Sequence, residues 1–268
     1  MGLSNKLNGI KNLWQFDNRW QLILARLFFS NEKLNTYRYR GLEVLVDHLV
    51  GDASIARDVL ATPMYRQYVD QMNLPPGLNV LDLGANIGCF PLLLAAEDFQ
   101  FNKLACVELN PKTFSRLRFN MERNLGEGRA ALLNGAVCGK SGPVEITLGE
   151  GGAFDSIYRG QPGGKTYQLS GYTFDEIYRR FFGEEEVDIC KIDVEYAEFE
   201  IFANPGHDLI KKCRNILIEI HHEKDKPRDL VRNKITALGF REIDPASKEH
   251  PINHYVHFFS RIDQPVCP

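Results

Sequence analysis

Asn79-Val80-Leu81-Asp82-Leu83-Gly84-Ala85-Asn86-Ile87-Gly88-Cys89-Phe90 is the stretch that decides the fold. An apolar strand ending near Gly84 meets a turn with glycines at 84 and 88, and the chain enters a helix expected over 87–97. A second apolar strand, expected over 103–109, ends in Glu108-Leu109-Asn110-Pro111. A tight loop at a helix N-terminus, followed by an acid at the end of the next strand, suits an adenosine-containing ligand. The loop lets the backbone approach the ligand, and the acid accepts hydrogen bonds from ribose hydroxyls.

The loop also discriminates between ligands. A dinucleotide turn reads G-x-G-x-x-G, and here Asn86 fills the second glycine position. A side chain there obstructs a pyrophosphate. S-adenosylmethionine demands less, because amides at the start of helix 87–97 can receive its single carboxylate. Pro91 falls in the first turn of that helix, where a missing N–H costs little. Glu108 would repel the 2′-phosphate of a phosphorylated nicotinamide cofactor. Asp82 can hydrogen-bond loop amides or, through water, the ammonium of the ligand.

Outward from this motif, strands and helices alternate. Helix 111–124, strand 130–138, helix 173–182, strand 187–194, a short helix over 197–203, strand 215–221 and helix 227–238 follow, and strands 240–244 and 255–262 close the chain. Strands separated by helices predict an α/β fold with a mostly parallel sheet wound on both faces. Only the loop 245–254 joins the last two strands, which predicts an antiparallel pair. Between residues 139 and 172 lies a glycine-rich insertion in which 144–148 and 154–158 can add short strands and Asp155, Ser156 and Tyr158 can line an acceptor pocket.

Residues 1–75 read as a mainly helical extension and 76–268 as the ligand-binding domain. In the extension, Ile10, Leu13, Trp14, Trp20, Ile23, Leu24, Leu27 and Phe28 recur at helical spacing. Residues 36–46 fit a hairpin turning at Gly41, and 55–72 fits a helix before the break at Pro75-Pro76-Gly77. Through residue 41 there are seven basic and two acidic residues, so these helices can pack on the domain, on a second subunit or on a membrane surface.

The 268 residues are 44% hydrophobic and 25% charged, with a net charge of −3, so nothing points to a nucleic-acid surface. The longest apolar runs are too short to span a bilayer, and no signal-peptide pattern opens the chain. Six cysteines lie far apart with no C-x-x-C pair, and Cys106 and Cys190 fall inside strands as reduced thiols. The expected compartment is the cytoplasm.

Four blocks together resemble the FkbM family of S-adenosylmethionine-dependent methyltransferases, within the class I methyltransferase (Rossmann-like) fold. Val80 to Gly88 matches its first motif, Asn134-Gly-Ala-Val137 a second, Lys191-Ile-Asp-Val-Glu-Tyr-Ala-Glu198 the block that most distinguishes the family, and Ile218-Glu-Ile-His221 the end of the fifth strand. The resemblance implies a seven-stranded sheet of order 3-2-1-4-5-7-6, and O-methylation of a hydroxyl on a sugar, glycan or natural-product scaffold. It places Asn134, Ala136 and Val137 near the adenine. With them, Asp82, Gly84, Ala85, Asn86, Gly88, Phe90, Glu108, Leu109, Asn110, Asp193 and Glu195 are the expected cofactor residues. The family pattern has glycine where this chain has Tyr196: either the backbone there avoids positive φ, or the tyrosine reshapes the substrate mouth.

Methyl transfer from a sulfonium is an in-line displacement, and an alcohol acceptor must also lose a proton. Candidates for that chemistry are Asp193, Glu219 and His221 at the ends of the fourth and fifth strands, with His221 as a general base. The same three can instead hold a divalent metal such as Mg²⁺, although the reading without a metal is preferred. Two other readings stay open: a nicotinamide-dependent oxidoreductase, against which Asn86 argues, and a non-catalytic module whose basic helices bind a partner.

Overall fold

The computed structural model describes residues 13–28, 33–148, 164–222, 227–244 and 255–264. The helices are α1 (Arg19–Phe28), α2 (Asp52–Ala61), α3 (Arg66–Val69), α4 (Cys89–Ala96), α5 (Pro111–Leu125), α6 (Phe174–Phe181), α7 (Ala197–Ala203) and α8 (Asp229–Ala237). The strands are β1 (Leu34–Tyr39), β2 (Leu42–Asp47), β3 (Gly77–Leu83), β4 (Gln100–Glu108), β5 (Ala131–Asn134), β6 (Ala136–Val137), β7 (Gly142–Leu148), β8 (Lys165–Tyr172), β9 (Val187–Ile192), β10 (Cys213–Glu219), β11 (Phe240–Ile243) and β12 (Val256–Arg261).

The motif strand β3 lies between β9 and β4 in a seven-stranded sheet whose order is β11-β12-β10-β9-β3-β4-β5. Counting only these strands in chain order, the sheet reads 3-2-1-4-5-7-6. The five strands from β10 to β5 run parallel, while β12 pairs antiparallel with both β10 and β11. Every residue of β9 is buried, as expected for a strand covered on both faces. The chain therefore has a mixed α/β fold with a mostly parallel sheet. No helix among the described residues is long and apolar enough to cross a membrane.

Local chemistry explains where the structure departs from the sequence reading. The helix expected over 55–72 is split into α2 and α3, because Pro63 has no N–H to donate and its ring forces Thr62 into extended backbone (φ −128°, ψ 166°). The strand expected over 130–138 divides after Asn134. Its second half, β6, leaves the main sheet and pairs with β8 in a three-stranded sheet of order β6-β8-β7. Strand β8 was not legible in the insertion, and its partner β7 is the strand expected over 144–148. Residues 154–158, with Asp155, Ser156 and Tyr158, lie outside the described residues.

The hairpin expected over 36–46 is β1–β2, turning at Gly41 with φ +81°. Of the apolar residues expected along the first helix, Leu13 is buried whereas Trp14, Trp20 and Leu24 are exposed. One continuous core joins Leu13, Tyr37, Val44 and Leu60 of the N-terminal segment to Leu92, Leu104 and Phe258 on one face of the sheet. A second core fills the other face around Phe174, Tyr178 and Phe202.

Candidate functional site

The loop after β3 is held by its neighbours before any ligand arrives. Gly84 and Ala85 both donate backbone N–H bonds to the Val107 carbonyl, at 3.0 and 2.9 Å, and Asp193 donates its N–H to Leu83. Gly84 has φ +75°, and a Cβ on it would stand 1.7 Å from the Asp193 carbonyl oxygen. The glycine is therefore required by contact between two strand ends as well as by the turn. Gly88 (φ +86°) is required by helix packing, because a Cβ there would meet Met121 at 2.5 Å. Asn86 takes the left-handed backbone (φ 50°) that asparagine tolerates, and its side chain accepts the Ile87 N–H.

Glu108 is the anchor of the next strand end. One carboxylate oxygen accepts the Asn86 N–H at 2.9 Å and the other accepts the Asn110 N–H at 2.8 Å. Asn110 then caps α5 by accepting from the Lys112 N–H. The Asn134 amide donates to the carbonyls of Glu108 and Leu109.

These elements surround a cavity of about 440 Å³ at the carboxyl edge of the sheet. Among the expected cofactor residues, Gly84, Ala85, Asn86, Phe90, Glu108, Leu109, Ala136, Val137, Asp193 and Glu195 line it, and Glu219 joins them. Four expected cofactor residues do not line it. Gly88 faces α5, Asn110 serves as a cap, Asn134 braces two carbonyls, and Asp82 is fully buried beside Lys191.

Lys191 also lines the cavity, and the sequence reading assigns it no role. Its ammonium lies 3.3 Å from carboxylate oxygens of both Asp82 and Asp193, and it donates to the Gly84 carbonyl at 3.1 Å. Burial opposes its charge, but Asp82 and Asp193 outweigh burial and hold Lys191 well above the usual lysine range. The ammonium expected beside Asp82 is thus the protein's own. The signal was present in β9: a lone lysine in a strand buried throughout must find a counter-charge.

His221 lies behind the cavity wall rather than in it. Its Nδ1 is 3.1 Å from Glu198 Oε1 and its Nε2 is 3.2 Å from Glu195 Oε2. Burial opposes its charge, yet the hydrogen bonds to Glu195 and Glu198 push its pKa up to about 11. Both His221 nitrogens are thus engaged with glutamates. Glu219 is the unusual acid: burial first and then the Asp193 charge push its pKa up to about 8. His222 is exposed.

Asp193, Glu219 and His221 each bring one donor atom within 4.8 Å of the others. Their chemistry does not fit Mg²⁺, because both His221 nitrogens are engaged with glutamates and Lys191 already supplies a cation to Asp193.

The N-terminal segment supplies the far wall, where Ser54, Ile55 and Asp58 from α2 face the cavity together with Met64 and Tyr65. None of these was anticipated, since nothing local in residues 50–65 marks a ligand wall.

The Methyltransferase FkbM domain family matches residues 82–242. The curated AMB antimetabolite synthetase AmbE of Pseudomonas aeruginosa is 27% identical over 196 residues, which is 58% of this chain and 9% of that protein. This chain therefore spans only a small part of that relative. The crystal structure of methyltransferase FkbM from Methylobacillus flagellatus KT aligns with 13% identity and a TM-score of 0.49, covering 70% of this chain and 45% of that one. Aeropyrum pernix fibrillarin, solved with natively bound S-adenosyl-L-methionine, aligns with 14% identity and a TM-score of 0.41, covering 84% and 81%. With its family match running from the end of the motif strand to β11, the chain belongs to the FkbM methyltransferase family.

Proposed function

We propose that the protein is an S-adenosylmethionine-dependent O-methyltransferase acting on a hydroxyl of a sugar, glycan or natural-product small molecule. The observation that carries the cofactor half is Glu108. Both of its carboxylate oxygens are fixed by backbone N–H groups, and it lines the cavity. A carboxylate fixed in this way at the cavity wall suits two adjacent hydroxyls, the pattern a ribose presents.

The rest of the cavity fits the same ligand. Cys89 and Phe90 open α4 and line the cavity, so their N–H groups stand at a helix N-terminus suited to a carboxylate. Asp193, Glu195 and Glu219 make the opposite wall acidic, which suits a ligand carrying a positive sulfur and an ammonium. Ala136 and Val137 offer apolar contact for an adenine ring.

When bound, the cofactor supplies a methyl group on a positively charged sulfur. The chain must then hold the acceptor hydroxyl in line with that bond and take its proton. Glu219 suits the second task, since it lines the cavity and its raised pKa of about 8 makes it a competent base near neutral pH. Asp193, neutralised in part by Lys191, stays fixed beside it. The wall from α2, with Ser54 and Asp58, gives the acceptor side polar contacts.

Calorimetry of the pure protein with S-adenosylmethionine and with its demethylated product tests the cofactor half. Absence of binding by both sinks the reading. A panel of hydroxylated sugars and small molecules, followed by mass spectrometry for a gain of one methyl, tests the acceptor half. Methylation confined to amine acceptors would replace the O-methyl assignment.

A further inference from the structure

We infer that Tyr196 is a positioning residue: its ring holds the His221 imidazole against Glu195 and Glu198, and so fixes the acidic wall of the cavity. The inference rests on the methyltransferase reading above and adds a residue outside the lining of the cavity.

The backbone gives the first half of the argument. Glu195 and Tyr196 have φ values of 45° and 76°, two consecutive residues in left-handed conformation, and neither is glycine. Residues with a Cβ avoid this region unless their surroundings over-determine it. Tyr196 opens α7 without a side-chain cap, so capping does not offset the strain. Of the two alternatives open at the sequence level, avoidance of positive φ is thus excluded. Glycine would take this backbone freely, whereas tyrosine takes it at a conformational cost.

The contact supplies the second half. The Tyr196 ring lies 5.0 Å from the His221 ring, centre to centre, at 44°. The edges of that imidazole reach Glu198 at 3.1 Å and Glu195 at 3.2 Å, and Glu219 lies 3.8 Å away. The backbone N–H of His221 donates to the same Glu198 oxygen at 2.8 Å. The imidazole is therefore held at its edges by carboxylates and packed against the tilted tyrosine ring. Glu195 and Glu219 line the cavity, whereas Tyr196 does not. Tyr196 acts through His221 on the carboxylates that a cation in the cavity meets.

S-adenosylmethionine carries a positive sulfur and its demethylated product a neutral one, so the affinity ratio between them reads the set of the acidic wall. Wild type, Tyr196→Gly and Tyr196→Phe are compared by thermal melting, by calorimetry with both compounds, and by the NMR signal of the His221 ring. Tyr196→Gly is expected to melt no lower than wild type, because it relieves the strain. Its preference for S-adenosylmethionine over the product is expected to fall about tenfold, with a displaced His221 signal. Tyr196→Phe is expected to restore both. An unchanged ratio in Tyr196→Gly overturns the inference. So does a lowered melting temperature with both affinities falling together, since the contact then only holds the fold. If wild type binds neither compound, the methyltransferase reading fails instead, and an unmoved His221 signal in Tyr196→Gly still decides against the positioning contact.

Discussion

Lys191 and Asp82 are direct neighbours across β9 and β3, with the lysine ammonium 3.3 Å from an aspartate oxygen and both side chains buried. Asp82 is fully buried, and burial raises its pKa while Lys191 opposes the rise. Removing the lysine leaves an uncompensated charge in the centre of the sheet. Lys191→Met is expected to cost about 3–5 kcal/mol in urea unfolding. The double variant with Asp82→Asn should recover much of that loss, because no orphaned charge remains. A loss below about 1 kcal/mol in Lys191→Met, the size of a typical point substitution, would show that the pair contributes little.

Glu108→Gln tests the ribose anchor. An amide offers one acceptor oxygen where the carboxylate offers two, so either the Asn86 or the Asn110 N–H must face an NH₂ group. Hydrogen bonds to charged groups are worth about 1.5–3 kcal/mol. Affinity for S-adenosylmethionine is therefore expected to fall roughly tenfold to a hundredfold. Calorimetry reads this directly. Retention of wild-type affinity would move the ribose away from Glu108.

The parts of the site that were legible in the sequence are those whose signal is local. Val80 to Gly88 shows a strand, a turn and a helix start within a few residues, and Glu108 follows at the end of the next strand. The alternation of strands and helices carried the sheet in the same way. Whatever depends on contacts distant in sequence was not legible. Lys191 reads as part of a motif until β9 is set beside β3. His221 reads as a lone strand-end histidine until Glu195 and Glu198 are seen on its two nitrogens. Strand β8 was hidden because Gly171 interrupts the short alternation of Tyr167 and Leu169 with Gln168 and Ser170, and it exists through pairing with β7. The wall from α2 is set by packing alone.

The pH dependence of stability follows from Glu219 and His221. Glu219 is raised from 4.5 to about 8, so between those values the unfolded chain releases a proton that the folded chain keeps. Stability therefore falls as pH rises through that window. His221 is raised from 6.5 to about 11, and its contribution is full below 6.5 and lost as pH rises toward 11. Both groups act in the same direction, and unfolding midpoints should decline from mildly acidic to alkaline pH. Glu219→Gln should flatten the acidic part of this decline and be more stable than wild type near pH 9 by about 1–3 kcal/mol. In the proposed chemistry, the methyl-transfer rate of wild type should rise with pH and level off above about 8, and Glu219→Gln should lose that rise. A rate independent of pH across this range would remove Glu219 as the base.

Arg116 ties the cavity wall of the N-terminal segment to the sheet domain. Its Nε lies 2.7 Å from Asp52 Oδ2, with Asp52 fully buried and Arg116 nearly so. That same aspartate oxygen accepts the Asp47 N–H at 2.9 Å, which fixes the end of the hairpin to the first residue of α2. One arginine on α5 thus sets both the hairpin and the helix that carries Ser54 and Asp58 to the cavity. Arg116→Met leaves the Asp52 carboxylate buried without its partner, and is expected to cost about 3–5 kcal/mol. If the wall is part of the binding site, cofactor affinity should fall as well, at temperatures where the variant is still fully folded. The double variant Arg116→Met with Asp52→Asn separates the two effects: stability should return with the charge removed, while affinity returns only if α2 resumes its place. Recovery of stability without affinity would show that this ion pair positions the wall, and unaltered affinity in the single variant would show that the shared core around Leu60 and Leu92 holds α2 without it.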